Sequence, residues 1–189
     1  DNNFPDWEAK NGGRFILNGS EGWNVPGPID TSGQVTLESW FYRTDLSSDT
    51  EYLSDARNGT GDWHLTNYQG YNVNFNNDLE MNDPSGGDYG DTGATSSPSS
   101  NLFNRWTHLV ATSDGNISEI YIDGEKITDS RLQRDNPFPT GIGKDFAIAN
   151  RYTGSSHLQG YMSVYRIYDD VLTPAQVKSN YESEKIYYK

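Results

Sequence analysis

The 189-residue sequence contains no cysteine. This absence excludes disulfide bridges, thiolate metal sites and cysteine nucleophiles together, so side-chain packing must stabilise the fold. Secreted eukaryotic domains commonly carry disulfides, and the absence therefore favours a bacterial or viral source. The length suits one large β-sandwich, and we expect a single domain over residues 1–189.

Basic residues are scarce, since 14 Lys and Arg against 27 Asp and Glu leave a formal net charge of −13. A surface with this charge repels phosphate backbones, so nucleic acid is not an expected partner. No apolar run approaches the roughly 18 residues of a membrane span, and we expect no membrane insertion. No signal peptide is visible at the start of the sequence, so we expect a mature or excised piece.

Two Asp-Gly dipeptides, between residues 105 and 127, give the strongest short-range signal. They are Asp114-Gly115 and Asp123-Gly124, and the segments around them alternate apolar and polar side chains. An Asp-Gly pair supplies the residues of positive φ that a tight two-residue hairpin requires. The pattern predicts a three-strand antiparallel meander with a turn at each dipeptide.

Other segments show the period-two alternation of strands. In QVTLESWFYR, at Gln34–Arg43, both faces carry bulky side chains, so we expect a central strand. Glycine, proline and a lack of apolar residues predict long loops at 19–33, 83–100 and 131–144. The remaining predicted strands are Arg14–Asn18, Glu51–Arg57, Asp62–Tyr68, Tyr71–Asn76, Asp145–Asn150 and Leu158–Tyr168.

One helix is predicted, from Pro174 to about residue 182. Thr173 is the expected N-cap, Pro174 occupies the first helical position, and Gln176 completes a capping box. The apolar stripe is narrow, with Val177 and Tyr181 on one face. We therefore expect the helix to dock on the sandwich rather than form its centre.

Several motifs occur in a fixed order and together span most of the chain. They are VTLESWFYR from Val35, RWTHLV from Arg105, EIYIDG from Glu119, LQGYM and VYRIY from Leu158, and LTPAQV from Leu172. This order resembles that of laminin G-like domains in the concanavalin A-like jelly-roll superfamily. The resemblance implies an all-β, two-sheet antiparallel jelly-roll sandwich with one short C-terminal helix. It also implies binding of glycans or proteins, often with one calcium ion. The segment YLSDAR from Tyr52 is similar to one in phage and marine-virus structural proteins.

The sequence lacks the carboxylate triplet of the glycoside hydrolases that share the jelly-roll fold. Jelly-roll glycoside hydrolases set Glu-x-Asp-x-Glu on one strand, because two carboxyl groups must flank the scissile bond. The nearest match here, Glu119, Asp123 and Glu125, runs into a hairpin turn. We therefore expect no catalytic residues and no enzymatic activity.

The three histidines, at positions 64, 108 and 157, do not have the spacing of a metal pair. His108 alternates with Trp106 and Val110, so we expect it to be packed or hydrogen-bonded within the sandwich. His64 and His157 adjoin loop residues and are candidates for ligand contacts. The alternative for both is an ordinary surface histidine.

Glycan binding requires an aromatic platform for a sugar ring and polar groups for its hydroxyls. Sandwich cores also bury aromatics, so Trp40, Trp106 and Phe146 are assigned to packing, and Trp63 is open to either interpretation. The candidate ligand-binding residues are Arg57, Asp62, Trp63, His64, Tyr68, Tyr71, Tyr89, Arg151, Tyr152 and His157.

Calcium is the cofactor that the composition and the resemblance favour, because Ca²⁺ binds carboxylate, amide and carbonyl oxygens on loops. One departure weighs against the inherited calcium site, since Gly160 is followed by YMS where many relatives place an Asp. The alternative is a set of solvated acidic loops. The candidate metal ligands are Asn18 and Glu21 in the first loop, and Asp78, Asp83 and Asp88 in or beside the longest one.

The leading functional hypothesis is a non-catalytic recognition or adhesion module that binds surface glycans. Its expected location is extracellular or on a virion surface, with a glycan or cell-surface polysaccharide as partner. The first alternative is a structural or decoration domain that contacts other virion or surface proteins without a ligand. A glycan-cleaving jelly-roll enzyme is the least favoured reading.

Overall fold

The computed structural model describes residues 5–26, 34–44, 50–57, 62–68, 72–78, 92–96, 102–114, 117–127, 145–150 and 157–189. Short 3-10 helices occupy Lys10–Gly12 and Lys185–Tyr187, and no helix in these ranges is long and apolar enough to cross a membrane. The strands and the helix are β1 (Asp6–Glu8), β2 (Arg14–Asn18), β3 (Trp23–Pro26), β4 (Val35–Arg43), β5 (Thr50–Arg57), β6 (Asp62–Tyr68), β7 (Asn72–Asp78), β8 (Thr92–Ser96), β9 (Trp106–Ser113), β10 (Ser118–Ile122), β11 (Glu125–Lys126), β12 (Asp145–Ile148), β13 (Gln159–Tyr168) and α1 (Pro174–Glu184).

The strands form two antiparallel sheets. A seven-stranded sheet has the order β1-β2-β13-β4-β9-β10-β11, and a six-stranded sheet has the order β3-β12-β5-β6-β7-β8. The predicted two-sheet jelly-roll class is therefore confirmed, as are the central place of β4 and the three-strand meander, which is formed by β9, β10 and β11. In the seven-stranded sheet, β4 lies between β13 and β9 and pairs with both over most of its length.

The hydrophobic core lies between the sheets because alternate residues of each strand point inward. Leu37 and Phe41 of β4, Leu109 of β9, Leu65 of β6 and Phe146 of β12 are all fully buried there. The intervening residues of β4 lie on the outer face of the seven-stranded sheet, which α1 covers.

Two predicted loops contain strands. The loop predicted at 19–33 contains β3, and the loop predicted at 83–100 contains β8. β3 pairs with β12 through its backbone, and Trp23 and Val25 pack against the core. Backbone pairing at a sheet edge does not require an apolar run, so composition alone mispredicted both segments. The polar N-terminal stretch likewise forms β1, which pairs with β2.

The structure confirms one of the two predicted Asp-Gly turns. Asp123 and Gly124 have φ values of 53° and 78°, which confirms the predicted two-residue turn between β10 and β11. At the other dipeptide, the Asp114 N–H donates to the Ile117 carbonyl at 3.1 Å, and the Asp114 carboxylate accepts a hydrogen bond from the Ile117 N–H at 2.7 Å. Residues 115–116 lie outside the described ranges, so the tight turn at this dipeptide stays a prediction.

Helix α1 begins as the sequence predicts. Thr173 is the N-cap, and its side chain and that of Gln176 form the reciprocal capping box. Val177 is fully buried against Val110 and Tyr121 of the seven-stranded sheet, with Leu172 packed beside them. The helix therefore docks on the outer face of this sheet.

A buried carboxylate on β4 joins the sheet to the helix. Glu38 is fully buried, and its side chain lies 2.8 Å from His108 Nε2. It also accepts hydrogen bonds from Arg166 at 3.1 Å, from Asn180 of α1 at 3.1 Å, and from the Tyr168 hydroxyl. Burial by itself raises the pKa of Glu38, but the hydrogen bonds from His108 and Tyr168 and the charge of Arg166 lower it to about 2.

We predict that Glu38→Gln lowers the free energy of unfolding at pH 7 by about 2–3 kcal/mol, because charge-assisted hydrogen bonds in a buried setting are lost. The folded pKa lies below the ordinary value of 4.5, so this stabilisation is complete above pH 4.5 and disappears as the pH falls toward 2. Urea unfolding of both proteins at pH 7 and pH 3 measures the difference.

The matched control for this experiment is Glu182→Gln, an exposed carboxylate on α1 that pairs with Lys185. It should leave the stability at pH 7 unchanged. Equal stability of the Glu38 variant and the parent at pH 7 would contradict the role assigned to this carboxylate.

Candidate functional site

Three chain segments meet at one end of the sandwich. They are the turn after β2, the turn after β12 and the residues that lead into β13. Their polar side chains include one predicted glycan contact and two predicted metal ligands. We call this set, Asn18, Glu21, Asn150 and His157, the rim cluster.

The turn after β2 holds the two predicted metal ligands close together. The Glu21 carboxylate accepts a hydrogen bond from the Asn18 N–H at 2.8 Å. The Asn18 side-chain oxygen accepts another from the Ser20 hydroxyl at 2.7 Å. Gly19 has a φ of 87°, which an L side chain rarely adopts, so the glycine lets the chain turn here. Both predicted ligands therefore take part in a local turn.

The turn after β12 contains a strained backbone conformation and a buried polar atom. Ala149 has a φ of 63°, an uncommon value for a residue with a Cβ. Its N–H donates to the Leu53 carbonyl at 2.9 Å, which ties the turn to β5. Asn150 is only 6% exposed, and its Oδ1 has no hydrogen-bond partner among the residues that the structure describes. A buried oxygen of this kind has capacity to accept a hydrogen bond from a ligand or to bind a cation.

The Asn150 side chain packs tightly against the turn after β2. A Cβ at Gly22 would lie 2.6 Å from Asn150 Cγ, closer than two such atoms can approach. Only glycine fits at position 22 without a shift of Asn150. The two turns are therefore in direct contact, and Gly22 is what allows it.

His157 is partly buried at the same end of the sandwich. Burial lowers its pKa, and the nearby Glu21 carboxylate opposes that shift only in part. The imidazole is therefore neutral at pH 7, with one nitrogen that donates and one that accepts. Such a ring suits the hydroxyl groups of a sugar, which are themselves donors and acceptors.

Strands β5 and β6 of the six-stranded sheet carry other residues that were predicted to contact a ligand. Arg57 pairs with Asp62 across β5 and β6, and β6 runs on from Asp62 in period-two alternation. Leu65 belongs to the core, so position 63 falls on the core face with it. The predicted positions on the outer face are Arg57, Asp62, His64 and Tyr68.

Sequence reasoning missed two residues of this region. Asp55 lies on β5 opposite Ala147 and position 64, and it is a fully buried carboxylate. Burial of a carboxyl group is costly unless other groups stabilise it, so we assign Asp55 a structural role on this strand. Its spacing of two residues from Arg57 places both on the same face of β5, and this spacing could have identified it from the sequence. Asn150 carried no signal, because its importance arises from the turn geometry.

Other predicted residues lie outside the described part of the chain. The segment that carries Arg151 and Tyr152 connects Asn150 to His157, so both of its ends lie in the rim cluster. For Asp78, the structure describes the backbone of β7 only. The predicted residues that lie wholly outside are Tyr71, Tyr89, Asp83, Asp88, Arg151 and Tyr152.

The rim cluster alone does not suit calcium. Ca²⁺ takes about six to eight oxygen ligands, usually with several carboxylates. The described side chains supply one carboxylate here, from Glu21, and no group of three or more His, Asp or Glu side chains able to hold a metal occurs within the described ranges. Ligation by the acidic residues of the longest predicted loop stays a prediction.

The model of a laminin G-like family (Laminin_G_3), described as concanavalin A-like lectin/glucanases superfamily, matches residues 17–178. The chain belongs to this superfamily. The match covers the rim cluster and every strand from β3 to β13. A comparison with curated proteins gives no significant match.

Solved structures show the same fold. Domain 4 of AbnA, a GH43 extracellular arabinanase from Geobacillus stearothermophilus in complex with arabinotriose, is 22% identical with a TM-score of 0.65, covering 93% of this chain and 80% of that one. A Trypanosoma rangeli sialidase is 16% identical with a TM-score of 0.63, over 94% of this chain and 28% of that one. A SAP-like pentraxin from Limulus polyphemus is 13% identical with a TM-score of 0.60, over 87% and 79%. At these identities the likeness establishes the fold alone.

We predict that Asn150→Leu does not lower the free energy of unfolding in metal-free buffer. Leucine has nearly the shape of asparagine, and the substitution removes a buried oxygen that has no partner. Chemical denaturation measures the difference. Asn180→Leu is the control that should be destabilised, because Asn180 donates to Glu38. A loss above about 1 kcal/mol for Asn150→Leu would show that its oxygen is satisfied in solution.

Proposed function

We propose that this chain is a non-catalytic recognition module that binds surface glycans at the rim cluster and the adjoining outer face of the six-stranded sheet. One observation carries the proposal: Asn150 Oδ1 is buried and has no hydrogen-bond partner among the described residues, and a neutral His157 lies at the same end of the sandwich as the strained turn at Ala149. Backbone strain of this kind concentrates at ligand sites. The pairing of Arg57 with Asp62 adds polar positions on the neighbouring sheet.

The fold neighbours support this proposal in general terms. Domain 4 of the arabinanase has the same fold and was solved in complex with arabinotriose. The superfamily to which the chain belongs is named for lectins as well as glucanases. Sugar binding by a module of this architecture is therefore physically reasonable.

The absence of catalysis is part of the proposal, and the described carboxylates support it. The nearest approach to a catalytic triplet consists of three side chains that are each engaged by a basic residue. Glu119 binds Lys126, Glu125 binds Lys178, and Asp123 binds Arg105 at 2.6 Å. Burial raises the pKa of Glu119, but the hydrogen bonds from Lys126 and Tyr121 outweigh it and lower that pKa, so this carboxylate is poorly suited to act as a general acid.

A structural role is the second candidate, and exposed apolar residues favour it. Trp7 on edge strand β1 is 60% exposed, and Ile186 and Tyr187 near the C-terminus are 58% and 53% exposed. Asn11 links these regions by donating to the Tyr187 carbonyl at 3.0 Å. Such a surface suits contact with another copy or with a neighbouring protein of a cell surface or virion. An exterior location, on a cell or a virion, fits both candidates.

We predict that a glycan array detects binding by the parent chain and that His157→Ala weakens it by about tenfold or more, because it removes a contact of the proposed site. Tyr152→Ala, at a contact predicted from sequence that lies outside the described residues, should have the same effect. The matched control is Tyr187→Ala, an exposed tyrosine outside the rim cluster, which should bind like the parent. If no glycan binds, with or without calcium, the structural role is favoured. Release of shortened products from a polysaccharide panel would instead show catalysis.

The calcium prediction has a separate test. If the acidic residues at positions 78, 83 and 88 hold Ca²⁺ in the folded state only, added CaCl₂ raises the thermal unfolding midpoint and a chelator reverses the rise. MgCl₂ at equal concentration is the control, because Mg²⁺ demands a smaller octahedral site. An unchanged midpoint would remove calcium from the proposal.

A further inference from the structure

The outer face of the seven-stranded sheet carries a cavity of about 250 Å³, on the opposite side of the sandwich from the proposed glycan face. It lies between the turn that joins β10 to β11 and the 3-10 helix at Lys185–Tyr187. We call it the C-terminal pocket. The residues that define its chemistry are Trp40, Trp106, Tyr181, Tyr188, Arg105 and Lys185.

The aromatic side chains of the C-terminal pocket pack against one another. The Trp40 ring stacks on Tyr188 with a centroid distance of 4.1 Å and on Tyr181 at 5.8 Å. Trp106 lies tilted against Tyr188 at 5.0 Å. These contacts give the pocket apolar, aromatic walls, which suit the apolar face of a sugar ring.

The charged side chains of the pocket favour a negatively charged ligand. The single carboxylate in the lining, Asp123, is satisfied by Arg105 at 2.6 Å and by the His108 N–H at 3.1 Å. The remaining charge comes from Lys185, 43% exposed, and from Lys189. The ion pair of Lys185 with Glu182 is exposed and therefore weak, so the ammonium group is free to turn toward a ligand. The lining thus has three basic side chains and one carboxylate, in a chain whose formal charge is −13.

We propose that the C-terminal pocket binds a single acidic sugar ring, with the carboxylate of the sugar beside Lys185 and its ring against the tryptophan and tyrosine side chains. The volume is slightly below the lower limit of about 300 Å³ for ordinary small-molecule sites, so one ring fits better than an oligosaccharide. This site is separate from the rim cluster and does not depend on the function proposed above.

The test is a titration of ¹⁵N-labelled protein followed by NMR, with galacturonate as the probe. The indole N–H signal of Trp106, assigned with Trp106→Phe, reports on the pocket. Galacturonate should shift this signal, whereas neutral galactose and acetate at equal concentration should shift it far less. No shift with galacturonate, or equal shifts with galactose or with acetate, would overturn the proposal.

Charge variants sharpen the test. Lys185→Glu should weaken galacturonate binding by about tenfold. Lys126→Glu is the matched control, because Lys126 is also 43% exposed and also pairs with one glutamate, and it should bind like the parent. His157→Ala should leave binding at this pocket unchanged, which separates it from the rim cluster. Unchanged binding in the Lys185 variant would overturn the proposed position of the carboxylate.

Discussion

Glu38 lies on the central strand of the seven-stranded sheet, on the face that turns away from the hydrophobic core, and α1 closes over it. A fully buried carboxylate is costly unless several donors surround it. Here the donors come from β9, β13 and α1, so three separate elements must be in place before Glu38 is satisfied. Arg166 extends the network to Glu184, which also accepts from the Trp40 indole N–H at 2.8 Å. The position of the helix is therefore fixed by polar chemistry as much as by the packing of Val177.

The features that were predictable from sequence are those with a local cause. The turn at Asp123, the capping box at Thr173 and the alternation of β4 each depend on a few neighbouring residues, and each was correctly predicted. β3 and β8 are edge or near-edge segments whose pairing depends on distant partners. Their composition is that of loops, so sequence reasoning did not identify them.

The candidate site was predictable only in part for the same reason. Residue chemistry identified Asn18 and Glu21 as candidate metal ligands and, separately, His157 as a candidate glycan contact. Their proximity depends on how the turns after β2 and β12 meet, which no local pattern encodes. Asn150 is the clearest case, because an ordinary asparagine becomes notable only once its oxygen is buried without a partner.

The two faces of the sandwich are built on different principles. The outer face of the six-stranded sheet holds polar positions in register, next to a strained turn. The outer face of the seven-stranded sheet is closed by the helix and holds an aromatic cluster with basic residues at its edge. A sandwich separates these faces by its core, so a change at one face need not disturb the other.

The order of elements along the chain has a consequence for synthesis. Trp40 and His108 belong to strands that are translated before the groups that cover them, since Tyr181, Glu184 and Tyr188 follow the last described strand, β13. Until these residues leave the exit tunnel, the nascent sandwich exposes an aromatic and charged face. This side of the fold is therefore completed only after the described strands of both sheets have been translated, and until then the nascent chain offers chaperones a binding surface that the finished molecule lacks.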